Sequence, residues 1–173
     1  DDYRYDLRYL KKYLLDWQQN YGDNCWMSLF FENHDNPRMV SKVNPDPAVR
    51  APLAKLLATL QLTLKGTPFI YQGQELGLAN VDFASINEIN DVESRNLYQE
   101  LCGKMPSEEA WKRILAGTRD HARAPMPWNA GPNGGFTAGT PWLRMADGSN
   151  LAKLEVEEPD LPDAPMPEIP GHD

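Results

Sequence analysis

Two short apolar runs, each stopping abruptly at polar residues, limit what this chain can fold into more than any other feature. The first, Trp26 to Phe31, is interrupted only by Ser28 and leads into Asn33-His34-Asp35, with Arg38 three residues further on. The second, Thr67 to Tyr71, lies between Gly66 and Gly73 and leads into Gln72-Gly73-Gln74-Glu75. Runs that are apolar on both alternating faces are expected of strands covered on two sides, as in a parallel sheet. Pro68, at the start of the second run, costs no interior ladder bond. Between them, from Pro45 to Gly66, Val49, Leu53, Leu56, Leu57, Leu60 and Leu64 form the apolar stripe of a helix, with Pro52 tolerable in its first turn. That stripe reads as core, not as a face for a partner. Strand, helix and strand predict a right-handed βαβ unit with parallel strands. Both polar clusters then fall at the carboxyl ends of neighbouring strands, the end where α/β folds carry their sites.

The flanking sequence extends this pattern. Leu7, Leu10, Leu14, Trp17 and Tyr21 recur at three- and four-residue steps and predict a helix over roughly residues 5 to 20, stopped by Gly22. From Leu76 to about Asn96 the composition is mixed, and a long loop over the site is expected. Ser107-Glu-Glu-Ala supplies an N-cap and early acids for a helix over residues 107 to 117. Arg119 to Trp128 concentrates two Arg, an Asp, a His and a Trp, residue types used to recognise sugars or carboxylates. Gly131, Gly134 and Gly135 lack the spacing of a phosphate-binding loop and read as a turn. Trp111, Trp128 and Trp142 serve equally as sugar platforms or as core.

Composition removes several function classes. With 173 residues, 41% of them hydrophobic, the chain can bury one ordinary core. A net charge of -8 without a Lys/Arg cluster argues against nucleic acid. Six of those eight net negative charges belong to residues 151 to 173, where seven acids and Lys153 alternate with five prolines; an extended or disordered tail is expected. Cys25 and Cys102 form neither a disulfide framework nor a thiolate zinc pattern, and His34 with Asp35 is too small a set for a metal. No metal, other cofactor or membrane span is expected, and the provisional compartment is the cytoplasm. Asp1-Asp2 in place of a starting Met suggests a chain that begins mid-gene or after processing.

Phe31-Glu-Asn-His-Asp-Asn-Pro-Arg38 resembles the fourth conserved motif of glycoside hydrolase family 13, the α-amylase family. Lys65 to Gly77 resembles that family's eighth barrel strand and its loop, continued by Asn80-Val-Asp-Phe. Arg119 to Trp128 resembles a segment of the oligo-1,6-glucosidase, dextran glucosidase and sucrose isomerase branch, with His121 and Pro127 in place of the usual Asn and Gln. The resemblance runs from about residue 3 to 150. It implies an α/β fold, a partial (β/α)8 barrel made of the last two strands and their helices over residues 1 to 150, followed by the acidic tail at 151 to 173.

It also implies roles. Asp35 is the third carboxylate, which stabilises the distorted, oxocarbenium-like sugar, and His34 binds hydroxyls of the same ring. Arg119 holds the terminal glucose of an α-gluco-oligosaccharide, and Glu93 contacts the leaving sugar. The family's Asp nucleophile and Glu acid/base belong to upstream motifs that this sequence does not contain. Two readings follow. One is a segment of a retaining α-glucosidase acting on α-1,6 or α-1,4 linkages, or of a sucrose isomerase. The other is a non-catalytic structural or sugar-binding module that self-associates or packs against an N-terminal segment.

Overall fold

A computed structural model describes residues 6 to 21 and 23 to 146. The expected stop at Gly22 and the tail at 151 to 173 lie outside the described residues. In chain order the elements are α1 (Leu7–Tyr21), β1 (Ser28–Leu29), α2 (Met39–Val43), α3 (Arg50–Thr63), β2 (Thr67–Pro68), α4 (Val92–Cys102), α5 (Ser107–Gly117) and α6 (Asp120–Arg123).

The βαβ unit forms as expected. β1 and β2 pair in parallel, with Ser28 opposite Thr67 and Leu29 opposite Pro68. The ladder donors are Thr67 N, to Met27 O, and Phe69 N, to Leu29 O, both at 2.8 Å, so the N–H that Pro68 lacks is not called on. Gly66 enters β2 at φ 153°, where a Cβ would lie 2.6 Å from the Met27 carbonyl oxygen; only glycine lets the strands approach this closely. Both strands are shorter than the apolar runs. The ladder ends where Gln61 of α3 donates its amide to the carbonyls of Leu29 (2.9 Å) and Phe69 (2.8 Å), replacing further strand pairing.

The expectation of strands covered on both faces needs correction. Leu29 is buried, but Trp26 is 67% and Phe30 52% exposed, and Phe69 and Ile70 are exposed as well. Among the described residues each strand has one neighbour, so the remaining edge and one face stay uncovered. The core of this half forms behind the sheet, where Leu10 and Leu14 of α1, Met39 and Val40 of α2, and Leu53 and Leu57 of α3 pack together. The crossover stripe is core at Leu53 and Leu57, while Leu56 faces solvent.

A second core assembles from connecting segments: Val81, Phe83, Ile89, Ala124, Leu143 and Ala146, with Trp111 and Leu115 of α5 packed against them. The segment read as a loop to Asn96 in fact turns helical at Val92. Asp91 caps α4, accepting from Ser94 Oγ at 2.7 Å and from Ser94 N at 3.4 Å. The helix escapes pattern reading because Val92 and Leu97 are exposed and little of it is buried. α5 spans the expected residues, although Ser107 is its first helical residue and makes no side-chain cap. Asn133, Gly134 and Gly135 take positive φ in a tight turn, as glycine spacing foretold. Among the described residues no helix is long and apolar enough to cross a membrane.

Candidate functional site

The turn after β1 is shaped by Asn33, whose Oδ1 accepts from Asp35 N at 2.9 Å and Asn36 Nδ2 at 2.8 Å. This side-chain turn reverses the chain beyond the strand and lifts His34 and Asp35 into solvent at the rim. Behind it, Arg38 does not pair with Asp35. Its buried guanidinium meets the buried Glu32 carboxylate at 3.0 Å and the Gln72 carbonyl at 2.8 Å, and lies over the Tyr71 ring, 5.3 Å from its centroid. Glu32 also accepts from Met39 N at 2.8 Å, and Asn80 Oδ1 accepts from Arg38 N at 2.8 Å. Burial pushes the Glu32 carboxyl above its usual range, against the pull of Arg38. The pair locks the end of β1 to the end of β2 and so fixes where His34 and Asp35 emerge. Gln72 enters this lock through its carbonyl, and Gln74 is engaged with Gln61 at 2.6 Å.

The opposite wall is the one-turn helix α6. Asp120 Oδ2 accepts from the backbone N–H of Asn90 (2.6 Å) and Asp91 (2.9 Å), which ties α6 to the start of α4. The buried His121 accepts from Val81 N at its Nδ1 (3.0 Å) and donates from Nε2 to the Leu115 carbonyl (2.6 Å), an arrangement that fits the neutral ring. Burial lowers its pKa, and Phe83 lies against it at 5.5 Å between centroids. His121 is therefore a pin of the second core and does not face the rim.

These two walls bring the four residues singled out in the sequence into one cluster. Asp35 Oδ1 accepts from Arg123 Nη2 at 2.8 Å and lies 3.8 Å from Arg119 Nη1. His34 Nε2 is 3.2 Å from Asp35 Oδ2, and the His34 carbonyl accepts from Arg123 Nε at 2.9 Å. Glu93 Oε2 lies 3.0 Å from Arg119 Nη2. Sequence reasoning missed two members. Arg123, from the same Arg-rich segment as Arg119, makes the direct contact with Asp35, and Asp91 stands behind both guanidiniums. The presence of a second Arg at a four-residue step from Arg119 was the available signal for Arg123, because that spacing returns to the same side of a helix.

Asp91 is almost fully buried, with 3% of its side chain exposed, and accepts from Arg119 at 3.1 and 3.2 Å from Nε and at 2.5 Å from Nη2. Burial alone would raise its pKa; the hydrogen bonds from Arg119 and Ser94 outweigh that and hold it at about 2. The same hydrogen bonds to Asp91 raise the pKa of Arg119. Asn90, Asp91, Arg119, Asp120, Arg123 and Trp142 line a cleft of about 350 Å³ beside the cluster. Trp142 is anchored at its edge by donating from Nε1 to the Arg123 carbonyl (3.0 Å), and Phe136 meets its ring edge-on. Trp128 and Trp142 are exposed, whereas Trp111 is a core filler. No group of three or more potential metal ligands occurs among the described residues. An array of fixed guanidiniums, carboxylates and an imidazole at an open rim can exchange hydrogen bonds with a polyhydroxylated ligand.

The family model described as alpha amylase, catalytic domain, matches residues 2–162. An oligo-1,6-glucosidase of Halalkalibacterium halodurans is 47% identical over 154 residues, 88% of this chain and 27% of that enzyme. A trehalose-6-phosphate hydrolase of Bacillus subtilis is 44% identical over 155 residues, again 88% of this chain and 27% of the relative. The chain thus spans about a quarter of the length of these curated relatives. Among solved structures, a variant of isomaltulose synthase from Erwinia rhapontici in complex with sucrose superposes with a TM-score of 0.80 at 38% identity, covering 90% of this chain and 29% of that one.

Proposed function

Because this chain belongs to the α-amylase family of glycoside hydrolases, we propose that residues 1 to 150 form the part of a (β/α)8 barrel that carries its seventh and eighth strands. In the whole enzyme this part supplies the third carboxylate for retaining cleavage of α-1,6 or α-1,4 gluco-oligosaccharides. The observation that carries the proposal is the convergence of His34, Asp35, Glu93 and Arg119, drawn from three segments far apart in sequence, on one open rim.

In this reading Asp35 accepts hydrogen bonds from hydroxyls of the ring being cleaved. Those bonds tighten as positive charge develops on the ring, so Asp35 acts on the transition state more than on ground-state affinity. His34 donates to the same ring, Arg119 closes the site around the terminal glucose, and Glu93 reaches the leaving sugar. Nucleophile and acid/base come from other parts of the barrel. The likeness to isomaltulose synthase keeps sucrose isomerisation as a second reading for the whole enzyme. The uncovered aromatic face favours a docking role for the segment itself, against the remainder of a barrel or a second copy.

The isolated chain is expected to hydrolyse no aryl α-glucoside above background. Turnover that disappears on Asp35→Ala would overturn this. With the upstream barrel segment supplied, activity should return and fall by about 10³-fold or more on Asp35→Ala; no recovery with both pieces folded counts against the proposal.

A further inference from the structure

Asp91 belongs to none of the motifs that drew attention in the sequence, yet it organises the cluster around Asp35. It is buried at the first turn of α4, and Ser94 takes up one side of its carboxylate. The other side faces two guanidiniums. Arg119 is bound through Nε and Nη2, and Arg123 Nη1 lies 3.8 Å from Oδ1. Asp35 competes for the same two cations from the solvent side: Arg123 reaches it at 2.8 Å, but Arg119 stops at 3.8 Å. A buried, hydrogen-bonded anion binds a guanidinium more strongly than an exposed one does, because water screens it less. Asp91 therefore wins Arg119 and leaves Asp35 to Arg123 alone.

We propose that Asp91 is a positioning residue, which tethers Arg119 away from Asp35 and thereby keeps the outer oxygen of Asp35, beside His34, open to a sugar hydroxyl. The sugar part rests on the reading of this rim as a gluco-oligosaccharide site. Without the tether, Arg119 is left among the described residues with the exposed carboxylates of Asp35 and Glu93, and a bidentate pair with Asp35 would engage its outer oxygen as well as the one that Arg123 already holds. The N-cap duty of Asp91 is separable from this one. Asparagine caps a helix about as well as aspartate but brings no charge.

The test is arginine side-chain NMR on the 173-residue chain, titrated with isomaltose. In the unmodified chain the Arg119 Nε–H signal, assigned by its loss in Arg119→Lys, should exchange with water at least about tenfold more slowly than that of exposed Arg95, as hydrogen bonding to a buried carboxylate requires. Asp91→Asn should preserve the backbone spectrum, remove that protection and weaken isomaltose binding roughly tenfold; Asp91→Glu should recover part of both. Ser94→Ala, which removes the cap partner and leaves the anion, should keep the Arg119 signal in place. An Arg119 signal unchanged in Asp91→Asn overturns the proposal, as does a Ser94→Ala effect of equal size, which would make Asp91 a cap only. If Asp91→Asn does not fold, fast exchange of Arg119 in the unmodified chain overturns it. A protected Arg119 in a chain that binds no isomaltose supports the tether and overturns the sugar reading, so the two failures are distinct.

Discussion

Residues 7 to 57 and residues 81 to 146 each gather a core of six buried apolar side chains, but the two cores are closed by different means. In the βαβ half, helices cover the back of a two-stranded sheet, while Trp26, Phe30, Phe69 and Ile70 stay exposed around it. The second half has no strand among the described residues. Its connecting segments are held by buried polar side chains bonded to backbone: Asp120 to Asn90 and Asp91, and His121 to Val81 and Leu115. One half leaves large apolar side chains uncovered among the described residues, and the other is pinned from within. Asp35 hangs from the first and the arginines from the second, so the candidate site exists only while the halves stay in register.

The most damaging way to break this comparison is to remove the lock between the strand ends. Arg38→Met leaves the buried Glu32 carboxylate unpaired and should cost about 3 to 5 kcal/mol. Urea unfolding should show the chain largely unfolded without denaturant, and a shift within error would mean that Glu32 is solvated. His121→Ala attacks the pins instead. It strands the buried Val81 N–H and frees the half-buried Leu115 carbonyl, for about 1 to 3 kcal/mol by the same measurement.

The pH dependence of the second half follows from the same residue. Because folding depresses the pKa of His121 below its ordinary 6.5, the unfolded chain binds the extra proton first. Its contribution is complete above about 6.5 and declines as pH falls below that value. His121→Asn should flatten that decline; an unchanged slope would assign it to other groups. Asp91, held at about 2, adds a separate loss only between its ordinary 3.8 and about 2.

The smallest stability effect is expected on the open face. Trp26→Ser with Phe30→Ser should move the unfolding free energy by no more than about 0.5 kcal/mol per site, since neither side chain is buried. Light scattering should nevertheless show less self-association, because exposed apolar patches drive it. A large loss of stability would show that this face is already covered in solution.

The βαβ unit could be read from sequence because its period and its glycines are local: Gly66 permits the close approach of strands, and Leu53 and Leu57 recur on one face of α3. The lengths of the strands could not, since they depend on neighbours, and Gln61 sits unmarked within the leucine stripe. His34 and Asp35 stood out at the polar end of an apolar run, and the roles expected of His34, Asp35, Glu93 and Arg119 came from the family resemblance. Asp91 and Arg123 were missed as site residues because their importance arises from contacts across 28 and 88 residues of chain, to Arg119 and to Asp35. Arg38 was visible as a charge after a strand, but its partner Glu32 was hidden, because a buried ion pair leaves no periodic trace.

The amide of Gln61 ends the strand ladder from within the βαβ unit, satisfying the carbonyls of Leu29 and Phe69 with a side chain of α3. The backbone beyond those carbonyls is then released from any obligation to the sheet. Changes in length or composition of the rim segments should therefore leave the pairing of β1 with β2 intact.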